Sequence, residues 1–191
     1  MERSRPSEQT SAFTTDLAAR AEIALARGLT ELGLKRWRMA AERLRASGSP
    51  HADSGTEAWA RAIEVYAVVA HAYAGRLEPV AGLVAELEGR LRSLLADGSR
   101  PAGEIPVSGA DVLALGLVRL AAGDDGSAVR LLALAERMRV PQTFPTMSAG
   151  RARRAAEEAD RAAYADAVSE YAALERDGLR EAARALISGR G

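Results

Sequence analysis

Two histidines, His51 and His71, and a few Ser–Gly pairs are the raw material from which this 191-residue chain would have to build catalysis or a metal site. A zinc centre needs three or four ligands at matching spacing, two of which an HExxH helix supplies from one face. Neither histidine stands in such an arrangement. His51 falls in the punctuating stretch SGSPHADSG (Ser47 to Gly55), and His71 lies on a helical segment with Glu64 two turns earlier. The Ser–Gly pairs in ADSGT, VSGAD and ISGRG lack the GxSxG frame that raises a nucleophile on a strand-to-helix elbow. There is no GxGxxG and no GxxxxGK run, so no dinucleotide or phosphate loop is expected. With no cysteine, thiolate ligands and disulfides are excluded. No catalytic residue, metal or cofactor is predicted, and the function expected is binding.

Two residue sets could carry binding. Trp59, Tyr66 and Tyr73 are spaced by sevens, which places them on nearly one face of a helix, where they form either core or the wall of an apolar ligand groove. The segment KRWRMAAERLR (Lys35 to Arg45) is the strongest basic patch. Cations around an aromatic can hold phosphate and stack a base, but Trp37, Ala40, Ala41 and Leu44 share one helical face, which turns the indole inward. Lys35, Arg38 and Arg45 then line the solvent side, where they could dock an acidic protein partner.

Lysine plus arginine (26) equals aspartate plus glutamate (26), so no net field draws the chain to nucleic acid or an anionic membrane, and no sequence-specific nucleic-acid binding is expected. The hydrophobic share is 48% with only 4% aromatic, so Ala, Leu and Val must fill the core. No apolar run reaches the roughly 20 residues of a membrane span, and no signal core opens the chain; a cytoplasmic protein is predicted.

The elements that must position these residues read as helices throughout. Residues 1–12 are expected to be a flexible tail, 13–188 a helical-repeat domain and 189–191 a C-terminal tail. Trp37, Ala40 and Leu44 recur as Leu77, Val80 and Val84, then as Ala128 and Leu132. The intervals of about 40 and then about 48 residues exceed the roughly 34 of a tetratricopeptide unit. Helix pairs are predicted from Thr15 to Ala46 with Gly33 near the turn, from Ser54 to about Leu95, and from Ser108 to Ala135. Ser54/Glu57 and Ser108/Asp111 are read as capping boxes. Gly75 stops a helix, and Gly82 with Gly89 marks a possible close backbone approach. After VPQTFPT, helices are expected at 148–159, 161–174 and 179–188, capped by Asp160 and Asp177, with Arg153–Glu157 and Arg154–Glu158 as solvated pairs. The fold class is all-α: an irregular, right-handed tetratricopeptide-like array of about four helix pairs closed by a C-terminal helix.

The stretch from Leu113 to Leu186 resembles the C-terminal helical region of actinobacterial AfsR/SARP-type transcriptional regulators. LLALAERMR, FPTMS and AxYADAVxxYAxLxRDxLR carry the likeness over a little more than a third of the chain. The winged-helix segment, the P-loop lysine and the Walker-type acidic strand of those regulators have no counterpart here, so their DNA- and ATP-binding residues are not carried over. The resemblance implies a non-catalytic interaction or sensor module associated with transcriptional regulation, whose partner is a protein, such as a regulator or its other domains. The alternative is a small-molecule-binding helical domain that gates a regulator.

Overall fold

A computed structural model describes residues 6–46, 54–96, 105–138, 140 and 142–188, all of them in helices or the turns between. Among the described residues, eight α-helices follow in order: α1 (Pro6–Ala26), α2 (Thr30–Ala46), α3 (Ser54–Tyr73), α4 (Ala81–Ala96), α5 (Ile105–Ala121), α6 (Asp125–Arg137), α7 (Ala149–Ala172) and α8 (Arg176–Ile187). Short 3-10 turns stand at Glu78–Val80 and Pro145–Met147. The all-α array expected from periodicity is what forms. Among the described residues no helix is long and apolar enough to cross a membrane.

Helix ends follow local chemistry. At the end of α1, Gly28 takes φ +74°, the Leu29 N–H donates to the Ala24 carbonyl (2.9 Å) and the Gly28 N–H to that of Leu25 (3.0 Å). This is a Schellman closure, which needs a left-handed residue that only glycine adopts without strain. α3 and α5 end the same way at Gly75 and Gly123. The first hairpin therefore turns at Gly28 rather than Gly33. Gly33 is instead buried within α2, where a Cβ would come within 2.6 Å of the Leu25 side chain.

α1 opens at Pro6, well before the expected Thr15, so residues 6–12 of the expected tail are helical; residues 1–5 and 189–191 lie outside the described residues. Proline suits this position because the first helical N–H has no intrahelical acceptor to lose. α5 likewise begins at Ile105, which puts Ser108 and Asp111 inside the helix and removes them as a capping box. Ser54 does open α3. Asp160 breaks α7 with φ −155° and ψ 96°, and its carboxylate accepts from the Ala163 N–H at 3.0 Å, so it caps the second half as its sequence position suggests. Asp177 falls one residue inside α8, whose N-cap is Glu175.

The chain packs α1 on α2, α2 on α3, α3 on α5, α5 on α6 and α6 on α7, while α4 lies to the side against α5 and α8. α3 and α4 are thus not a tight pair. The reason is visible in α3, where Ile63 and every residue from Val65 to Ala72 are buried. A helix apolar all round must be covered by several neighbours. The recurring triplet also falls out of phase: Trp37 sits in mid-α2, whereas Leu77 precedes the 3-10 turn ahead of α4. α8 closes the array with Leu179, Ala183, Leu186 and Ile187 inward, and its Arg184 donates Nε–H to the Leu95 carbonyl of α4 at 3.0 Å.

A cleft where the first hairpin meets the 143–151 segment

The aromatic stripe of α3 divides. Tyr66 joins the core, edge-on to Trp37 of α2 (centroids 5.8 Å apart) and to Phe144 (5.7 Å), and Trp37 meets Phe144 at 5.4 Å. Its hydroxyl lies 3.4 Å from Thr143 Oγ1. Trp37 is 0% exposed, so the inward reading of the basic segment holds. Such T-shaped contacts bring positive ring edges onto negative faces and add about 0.5–1.5 kcal/mol each beyond burial. They tie the 143–147 segment to α2 and α3. Trp59, two turns earlier, is half-buried and packs against the core with its Nε1 unpartnered.

Tyr73, at the end of α3, has a different setting. It lines a cavity of about 330 Å³ whose first wall is the α1–α2 corner (Glu22, Leu25, Thr30) and whose third is the segment carrying Thr146 and Arg151. Three buried polar atoms at this one cavity have no hydrogen-bond partner: Glu22 Oε1, Tyr73 OH and Thr146 Oγ1. Thr146 is 1% exposed. Buried polar groups are nearly always satisfied, and each orphan costs about 1–3 kcal/mol. Burial pushes the Tyr73 phenol up to about 12, against the opposing pull of Arg151 and Arg154, so it stays a neutral donor and acceptor. The Arg151 guanidinium lies 3.8 Å over the Tyr73 ring. Tyr73 and Arg151 also line a second cleft, of about 420 Å³, together with Leu117, Leu120 and Arg154.

A further cavity of about 270 Å³ lies between α5, α6 and α7, walled by Leu113, Leu132 and Met147. At its rim Glu136 accepts from both Arg153 and the Tyr164 hydroxyl. The solvated pair expected within α7 is thus replaced for Arg153 by a partner on α6. Although burial opposes it, those two donors hold the Glu136 carboxyl below its usual range, while burial and Glu136 raise the Tyr164 phenol. This triad is mutually satisfied and braces α7 on α6.

The proposed docking cations are largely occupied. Lys35 is exposed, Arg38 pairs with Glu42 at 3.4 Å, and Arg45 bridges Glu64 of α3 (2.9 Å) and Glu86 of α4. Arg45 is therefore a connector of three helices rather than a free docking charge. His71 is buried, its Nδ1 2.8 Å from the Ala67 carbonyl oxygen, and His51 lies outside the described residues. No cluster of three or more metal-ligating side chains occurs among the described residues.

Sequence reasoning named Tyr73 but missed Glu22, Thr146 and Arg151. They come from segments more than a hundred residues apart, and no motif joins them. The one local signal was Pro145 beside Thr146, which marks a non-helical turn able to carry a hydroxyl into the interior.

No protein-family model, no curated protein and no solved structure matches this chain.

Proposed function

We propose that this chain is a non-catalytic helical sensor module: a small ligand enters the cleft at Tyr73, and its occupancy alters the surface offered to a protein partner. The observation that carries this reading is that three residues lining one cavity, Glu22, Tyr73 and Thr146, each hold a buried polar atom with no hydrogen-bond partner. A pocket of about 300 Å³ or more with a few convergent polar groups is the usual form of a small-molecule site. Its position supports coupling as well. Glu22, Leu25 and Thr30 belong to the α1–α2 corner, and that same corner carries Ile23 (50% exposed), Leu29 (50%) and Leu32 (39%), apolar side chains suited to a protein contact. The likeness of Leu113–Leu186 to transcriptional regulators supplies the class of partner, a transcription-regulatory protein. With balanced charge and Arg45 internally paired, direct sequence-specific duplex binding is not part of this reading.

The experiment is hydrogen exchange on the whole chain while a broad set of small metabolites is screened by thermal shift. At least one compound should raise the melting temperature saturably through linkage, with slower exchange in 22–30 and 145–151. If stabilisation never comes with protection of those segments, the sensor reading falls. Protein docking through the hairpin then remains, to be tested by loss of partner binding in Leu29→Ser.

A further inference from the structure

The two charged side chains that line the Tyr73 cavity, Glu22 of α1 and Arg151 of α7, make no ion pair with each other or with any other described residue. Opposite charges that share a cavity ordinarily close on one another when their reach allows. Arg151 instead stacks on Tyr73 at 3.8 Å, and Glu22 keeps Oε1 buried and unpartnered. Tyr73 and Thr146, whose buried hydroxyls have no partner, border the same space, and Leu25, Ala70 and Pro145 provide apolar wall.

We infer that the cavity takes a small zwitterion, an apolar amino acid, with its ammonium on Glu22 and its carboxylate on Arg151. This rests on the reading of the cleft as a ligand site and names the ligand's class. A lone carboxylic acid would satisfy Arg151 but bring like charge toward Glu22, and a lone amine would do the reverse at Arg151. A molecule carrying both charges meets both ends at once. Arg151 presents a planar fork matched to a carboxylate. The Glu22 carboxyl turns about a broad terminal torsion, which swings Oε1 toward the cavity without moving the helix. The Thr146 and Tyr73 hydroxyls then accept the remaining ammonium protons or donate to the carboxylate. The apolar wall leaves room for an aliphatic side chain.

Isothermal titration calorimetry on the full chain tests this with the apolar L-amino acids, leucine first. Leucine methyl ester (ammonium only) and 4-methylpentanoate (carboxylate only) serve as comparison probes. At least one amino acid should bind saturably, and the corresponding singly charged analogues should bind about tenfold more weakly or worse, the loss of one charge-assisted hydrogen bond. Glu22→Gln and Arg151→Gln should each weaken the amino acid by a similar factor while the free variant still folds and melts cooperatively. Glu42→Gln, on α2 about three turns from Thr30 and outside the cavity lining, should leave binding as it is. The inference is overturned if no apolar amino acid binds, if an analogue lacking one charge binds as tightly, or if Glu22→Gln is without effect. A different compound that binds and protects 145–151 would overturn the zwitterion while sparing the sensor reading; if no compound protects the cleft, both fall.

Discussion

Arg90 of α4 stands 3.4 Å from the Asp111 carboxylate of α5 and 3.5 Å from Glu64 of α3, so one guanidinium serves carboxylates from two other helices. Asp111 is 1% exposed. Glu64 also meets Arg45, which reaches Glu86, and the chain of charges spans α2 to α5. This polar seam joins α4 to α3 and α5, and α3 and α4 otherwise touch little.

Arg90→Met should destabilise the fold by about 3–5 kcal/mol, because it leaves the Asp111 charge buried without its partner. Asp111→Asn should cost less, since Arg90 keeps Glu64. The pH dependence has a definite sign. Burial raises the Asp111 carboxyl above its unfolded value of 3.8 despite Arg90. Removing Arg90 raises it further, so the variant should regain stability as pH falls through that raised value toward 3.8. Urea denaturation at several pH values checks this, and an Arg90→Met variant no more sensitive than Asp111→Asn would show the seam to be dispensable.

His71 works in the opposite direction. The Ala67 carbonyl can only accept, so Nδ1 carries a proton, and the neutral ring is the Nδ1–H tautomer. Burial lowers its pKa from 6.5, outweighing the Ala67 hydrogen bond, with Arg38 lowering and Glu31 raising it further. The unfolded chain therefore takes up the proton first as pH falls. Stability contributed by neutral His71 is present above pH 6.5 and is lost from there down to the lowered folded value. His71→Gln should remove that component. Denaturation midpoints compared at about pH 7.5 and 5.5 test it, and parallel losses in wild type and variant would assign the acid sensitivity elsewhere.

How much of this was legible follows the range over which each feature is determined. The helices, the stop at Gly75, the Asp160 cap and the inward Trp37 are set by residues within a turn or two, and periodicity reads them. What failed depends on neighbours distant in sequence. Asp111 looked like a cap because Ser108 precedes it, but its role comes from Arg90 on another helix. Arg153 looked satisfied by Glu157 until α6 brought Glu136 closer. At the cleft, Tyr73 stood out as one of four tyrosines, while Glu22 is one of 26 acidic residues and nothing local distinguishes it.

Glycines show the same limit. Gly82 and Gly89 of α4 have open space where a Cβ would stand, so no backbone approaches them, whereas a Cβ on Gly116 of α5 would lie 3.1 Å from Leu132 Cγ and 3.2 Å from Leu131 Cβ. Gly89→Ala should stabilise by about 0.5–1 kcal/mol through helix propensity alone. Gly116→Ala should destabilise by about 1–3 kcal/mol, because the α5–α6 crossing must part. Chemical denaturation of both variants decides, and equal responses would mean that the crossing yields without strain.

Tyr66 and Tyr73 share a helix and a heptad phase, yet their substitutions should diverge. Tyr66→Ala empties a core position wedged between Trp37 and Phe144 and should cost about 3–5 kcal/mol, as should Trp37→Ala from the same cluster. Because the two rings touch, the double variant should lose less than the sum of the singles. Tyr73→Phe removes a buried hydroxyl that has no partner. The free protein should therefore keep its stability or gain up to about 1 kcal/mol, since a desolvated orphan disappears while ring, packing and Arg151 stacking remain. Ligand binding in the cleft should weaken in the same variant. A hydroxyl that serves a ligand is neutral or harmful to the empty fold and useful to the filled one, whereas one that serves the fold is useful to both. Melting temperatures of Tyr73→Phe with and without a cleft ligand separate the cases: a large loss in the free protein would assign the hydroxyl to the fold and remove it from the site.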